Sequence, residues 1–208
     1  MADEMIGLIG SIYMSSGNSI SFTDEATTNA GDNKTYTITD AVKRYFDPNS
    51  SLVVKVNDVI VTTGFTIEYA GGVINFSASQ GANPVTVTGK YFAVAEVGAF
   101  YNYKISLNRT VLDTTSFIPS GTDYGWETSS VGLKSYTASA EKFYIDSTIN
   151  AQMIAGKNLV IVFYLNESTA IRYEGYGFID KQDISVDVKE LIKETLNIKG
   201  NSPLYFRD

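Results

Sequence analysis

The chain has 208 residues, a formal net charge of −7, no cysteine and no histidine. Those two absences exclude disulfides, thiolate nucleophiles, zinc–histidine centres and any Ser-His-Asp or Cys-His catalysis. No basic stripe is available to grip nucleic acid through its phosphates, and the acidity reads as solubility.

Apolar residues make up 44% of the chain and charged residues 19%, with 14 tyrosines, 11 phenylalanines, 17 glycines and only 4 prolines. That mixture predicts a folded, mainly β protein of many strands joined by turns. The start, MADEMIGLIGSIYM, carries acids where a signal peptide needs positive charge, and no segment reaches the ~20 apolar residues of a membrane span. The expectation is a soluble protein made in the cytoplasm, with no membrane partner.

In chain order, a strand is expected over 7–14, and the polar, turn-rich 15–33 is expected to be a connection. From Lys34 a compact β module begins. Tyr36 and Ile38 alternate with threonines, AVKRYF offers a helical turn before Asp47-Pro48, and Asn57-Asp58 between VVKV and VIV signals a two-residue hairpin. Phe65, Ile67 and Tyr69 alternate along one strand, Ala70-Gly71-Gly72 turns the chain, and Ile74 and Phe76 continue on the partner. Val85 and Val87 close the unit near Phe92. The module can bury its own face and reads as a small domain over 17–92.

The second half places Ile105, Leu107, Arg109 and Val111 on one face of a strand, and Lys104, Ser106, Asn108 and Thr110 on the other. A long polar loop carrying the single tryptophan follows. Beyond it, Ser135, Thr137, Ser139 and Glu141 share a face opposite Tyr136, Ala138, Ala140 and Lys142. Residues 146–155 are predicted helical, capped by Asp146 or Ser147, with Ile145, Ile149 and Met153 on one side and Gly156 as the stop. LVIVFYL, 159–165, is apolar on both faces, as in a strand buried between two layers. AIRYEGYGFI and DISVDV are further strands, and ETLNIKGNSPLYFRD ends the chain with one more.

No constellation predicts an enzyme, a cofactor or a metal site. Asp183 with Asp187, and Glu190 with Glu194, are paired acids best read as solvated surface charge. Gly175 and Gly177 precede no helix start and match no phosphate loop, so close strand packing accounts for them. Sequons at Asn33, Asn108 and Asn166 have no secretion signal to give them meaning. Phe100, Tyr101 and Tyr103 are either a sugar-stacking platform or, preferably, core and interface packing. Trp126, alone in a polar loop, reads as an anchor for another chain's pocket.

Several of these stretches resemble the major tail tube proteins of long-tailed bacteriophages. VLDTTSF, a loop, and GWETSSVGLKSYTASAEKFY resemble the family's strand, loop and strand. DSTINAQMIAGKNLVIVFYL resembles its helix and central strand, and YEGYGFIDKQDISVDVKELIKETLNIKGNSPLYFR its closing region. With GLIGSIYM the likeness covers 1–16 and 93–208. The inserted module, 17–92, departs from the family's pattern and is similar to small accessory domains on the outside of phage structures.

The resemblance implies an antiparallel β-sandwich or partial barrel with one flanking α-helix, assembled as hexameric rings stacked into a tail tube. Double-stranded DNA would pass through the lumen without specific binding. It implies a virion location, self-association, and other tail proteins as partners: tape measure, tail terminator and distal tail proteins. The 112–130 loop, with Thr114, Phe117, Tyr124 and Trp126, becomes the ring-stacking contact. The lumen is expected to be lined by Ser106, Asn108, Thr110, Ser135, Thr137, Ser139 and Glu141, with Lys104 counting against that face unless an acid neutralises it. Tyr205 and Phe206 are inter-subunit candidates. Two alternatives stay open: a carbohydrate- or cell-surface-binding β protein, and the tube of a tailocin or contractile injection device.

Overall fold

The structure, a computed structural model, describes residues 11–113, 129–143, 148–156, 158–166, 170–187 and 191–208. Its strands are β1 (Ser11–Asn29), β2 (Thr35–Ile38), β3 (Val53–Val56), β4 (Val59–Val61), β5 (Phe65–Glu68), β6 (Val73–Phe76) and β7 (Val85–Asp113). Then follow β8 (Ser129–Phe143), the helix α1 (Thr148–Ile154), β9 (Leu159–Asn166), β10 (Ile171–Ser185), β11 (Lys193–Gly200) and β12 (Tyr205–Arg207). The fold is mainly β and antiparallel, as expected.

The pairings of β1, β7, β8, β11, β10 and β9 run round in a ring, so these strands form a partial barrel. β7 turns the corner by changing partner: it lies beside β1 up to Ala99 and beside β8 from Phe100 onward. Inside are Met14, Phe100, Ala138, Ala140, Leu159, Ile161, Phe163, Ile179, Leu196 and Ile198, and Met153 of α1 packs against them. Gly156 ends the helix with φ +59°, the left-handed conformation read from the sequence. The expected cap, Asp146 or Ser147, lies outside the described residues.

A second core serves the module. Phe22, Tyr36, Ile38, Phe46, Val54, Ile74, Phe76, Val85 and Val87 are buried together, enclosed by β4-β3-β7-β1-β2-β6-β5. Asn57 and Asp58 both adopt positive φ, +50° and +63°, giving the tight hairpin read from VVKV-ND-VIV. Asp40 caps a 3-10 turn at Ala41–Lys43.

Three sequence expectations change. Residues 15–29, read as a connection, continue β1, because β7 supplies a partner as far as Ala26, with Ile20 facing Tyr91 and Phe22 facing Gly89, and β2 supplies one from Thr27 to Asn29. Polar strands form where a neighbour completes their hydrogen bonds, and propensity alone misses them. Likewise AIRYEGYGFI and the start of DISVDV are one strand, β10, and the expected terminal strand is two, β11 and β12, separated at Asn201–Leu204. β1 and β7 therefore run unbroken through both cores, and a register shift between Ser15 and Ser19 marks where one core gives way to the other.

β9 explains the layering. Leu159, Ile161 and Phe163 point into the barrel core, while Val160 and Val162 point the opposite way, into a third cluster with Tyr45, Ala70, Phe92 and Tyr176. That cluster joins barrel and module, so the module sits across β9 from the barrel interior.

Candidate functional site

Strands β7, β8, β11 and β10 make a four-stranded sheet whose inner face covers the barrel core. Its outer face is polar because each strand alternates. In β8, Tyr136, Ala138, Ala140 and Lys142 are buried, while Ser135 and Thr137 are exposed and Ser139 and Glu141 are half-buried. Register then aligns the strands into rows. Asn102, Glu141, Thr195 and Asp183 form one row, and Lys104, Ser139, Asn197 and Lys181 the next. Ser106, Thr137 and Lys199 form a third, and Asn108 faces Ser135 beyond it. The two faces that the sequence singled out separately thus meet directly across the β7–β8 ladder.

Thr110 is exposed but falls where a register shift between Arg109 and Val111 interrupts the ladder, beyond the regular rows. Lys104 shares the polar face, and the structure adds Lys181 and Lys199 to it.

Among the described residues, this sheet is unfinished at both sides. From 101 to 112, β7 pairs only with β8, and from 178 to 185, β10 pairs only with β11. Unpaired strand edges expose rows of N–H and C=O groups, a template for another strand. β8 meets β11 only from Thr137 onward, so residues 107–113 and 129–136 extend as a two-stranded ribbon of roughly 20 Å. Its large apolar side chains are open to solvent: Leu133 is 82% exposed, Val111 69%, Leu107 66%, with Val131 and Leu112 similar. A two-stranded ribbon is marginal alone in water. Burying these five would contribute roughly 10 kcal/mol, comparable to the fixed cost of association.

On the inner face, Lys142 and Glu194 face each other across β8 and β11, with Nζ and Oε2 3.4 Å apart and both side chains buried. Gln182 donates to the other carboxylate oxygen at 2.5 Å. Glu194 is therefore no surface charge, contrary to the sequence expectation. The signal was present: Lys142 lies on the apolar side of the β8 alternation, and Glu194 alternates with Leu196 and Ile198.

A second buried carboxylate, Glu174, joins module to barrel. It accepts from Arg207 Nε at 2.7 Å and Arg172 Nε at 3.0 Å, with the Tyr45 hydroxyl at 3.4 Å. Arg207 also reaches Glu68 of the module at 2.7 Å and the Ala70 carbonyl at 3.0 Å. Burial pulls the Arg207 pKa down, and its bonds to Glu174 and Glu68 more than offset this, leaving it raised. Burial pushes the Tyr45 phenol up, helped by the Glu174 charge, and burial does the same to Tyr176, whose hydroxyl donates to the Phe46 carbonyl. No motif in the sequence announced this cluster, since its members come from 45, 68, 172, 174 and 207.

Of the other candidates, Thr114, Phe117, Tyr124 and Trp126 lie outside the described residues. Tyr205 is half-buried at the module junction, and Phe206 is 48% exposed with its ring 5.1 Å from that of Tyr173. Phe100 is in the barrel core, and Tyr103 packs beside Phe163 and donates to the Tyr164 carbonyl at 2.6 Å. Gly175 and Gly177 are close-packing positions: a Cβ on Gly177 would stand 2.7 Å from the Lys199 carbonyl oxygen.

No protein-family model matches the chain, and no curated protein matches it. Among solved structures it is similar to a chain from the tail of an empty gene transfer agent particle with C6 symmetry, at 16% identity and TM-score 0.47, covering 56% of this chain and 87% of that one. A chain from the virion of a native gene transfer agent particle is similar at 15% identity and TM-score 0.44, covering 55% and 89%.

Proposed function

We propose that the chain is a structural protein of a phage-type virion tail, whose copies join edge to edge into hexameric rings that stack as a DNA-conducting tube. The observation that carries this reading is the pair of open edges on one sheet of four strands. In an antiparallel sheet of four, the first and last strands run in opposite directions. The β10 edge of one copy therefore receives the β7 edge of the next with the alternation unbroken. Such a head-to-tail contact repeats identically and closes into a ring when its rotation allows. The number six comes from the family resemblance.

In that ring the polar face lines the bore and the module, across β9 from the barrel interior, points outward. The apolar ribbon and the 112–130 loop serve contacts between copies and between rings. Tape measure, tail terminator and distal tail proteins are the further proposed partners. The carbohydrate-binding rival has less to stand on, since Phe100 and Tyr103 are engaged in packing and not displayed. A sheathed, contractile device would use the same ring and differ in its surroundings.

Negative-stain microscopy of the concentrated protein tests the reading. Rings or tubes with a central hole are expected; featureless monomers at every concentration would reject it.

A further inference from the structure

We infer that Asp180 is the charge-balancing residue of the proposed bore, the group that keeps Lys104 and Lys199 from holding DNA phosphates. The inference rests on the tube reading above. Its basis is a bulge in β10. Ile179 faces Ile198 and Lys181 faces Asn197, so Asp180 is an extra residue with no partner on β11. In a regular strand Lys181 would point the same way as the buried Ile179. The bulge turns Asp180 and Lys181 outward in succession, and both are exposed on the polar face.

Asp183 holds Lys181 at 2.7 Å, leaving the Asp180 charge to its other neighbours. Those neighbours line one shallow concavity with it: Lys104, Lys199, Thr137, Ser139 and Asn197. Among the described residues neither Lys104 nor Lys199 forms a salt bridge. Across the face, Lys104, Lys181, Lys193 and Lys199 stand against Glu141, Asp180 and Asp183. Those are four bases against three acids, and without Asp180 the excess of bases grows from one to two in every copy of every ring. A lysine free of a carboxylate neutralises phosphate and releases counterions, which is the route to tight, salt-sensitive retention of a duplex. An acid within about one Debye length, ~8 Å, opposes that contact without needing to touch the ammonium.

The test uses assembled tubes and a short fluorescent DNA duplex, read by co-sedimentation at low and physiological salt, with tube shape checked by microscopy. Wild-type tubes are expected to leave the duplex free. Asp180→Asn tubes are expected to retain roughly tenfold more, an excess lost as salt rises, and Asp180→Ser should behave alike. Adding Lys104→Gln and Lys199→Gln to D180N should return retention to the wild-type level. Tubes of normal shape in which D180N and D180S ignore DNA, or retain it whether or not the two lysines are present, overturn the role of Asp180 alone. Absence of hollow rings in the wild type overturns the tube reading and this role with it.

Discussion

The module and the barrel are made of the same kinds of strands, yet only one of them finishes its own surface. The module closes over its core, and its outermost strands, β4 and β5, are three and four residues long. Its exposed large apolar residues are scattered, Val59 and Ile60 at one hairpin and Ile20 and Val42 elsewhere, a scale of exposure that isolated domains tolerate. The barrel's four-stranded sheet leaves two long edges open among the described residues and extends an apolar ribbon past its own core. Short edges keep a β unit to itself, and long ones recruit. In the proposed ring this difference assigns self-association to the barrel and leaves the module as a passenger.

The largest effect should come from the ribbon. Changing Leu107, Val111 and Leu133 together to aspartate removes much of the roughly 10 kcal/mol of burial that the ribbon offers. Assembly should be abolished while the subunit keeps its circular dichroism and melting temperature; tubes from this variant would break the contrast. Within one subunit, Glu194→Leu leaves Lys142 buried beside an apolar side chain and should cost about 3–5 kcal/mol of unfolding free energy. Adding Lys142→Met should recover more than half of that loss, and denaturant titration of the pair measures the coupling.

The junction between the two regions should fail on the alkaline side. Tyr45 and Tyr176 sit in it, and burial raises both above the ordinary value of 10.0. A phenol with a raised pKa keeps its proton longer in the folded state than in the unfolded chain. Its stabilising contribution is complete below pH 10 and is lost progressively as the pH climbs above it toward the folded pKa values. Melting curves above pH 10 should fall more steeply for wild type than for Tyr45→Phe. The smallest effect lies at the module's rim. Asp32 accepts from the Lys34 and Thr35 amides at 2.8 and 2.7 Å, and these bonds, the one from Thr35 foremost, hold its carboxyl down to about 2. Its contribution is present above the ordinary 3.8 and disappears as pH falls toward 2. Amide exchange in the 29–35 turn should rise across that window, and Asp32→Asn should flatten the change.

Much of this was legible in the chain. Alternation gave both faces of the β7–β8 ladder as far as Asn108 and Ser135, short of the register shift at Thr110, Asn57-Asp58 announced a hairpin, and the unbroken LVIVFYL announced a strand with two buried faces. The polar half of β1 was not legible, because its strand character depends mostly on β7, some sixty to eighty residues away. Nor was the Glu174 cluster, where charges become structural only after distant elements meet. The bulge at Asp180 leaves no mark in the sequence, since register is a property of two strands and not of one.

Hydrogen–deuterium exchange on dilute and concentrated protein tests the central claim most directly. If another copy completes the sheet, amides within 102–112 and 178–185 gain protection on assembly, while those of β2, β3 and β6 in the module stay unchanged. Protection that appears in the module instead, with both barrel edges exchanging as freely in the assembly as in the subunit, would contradict the account.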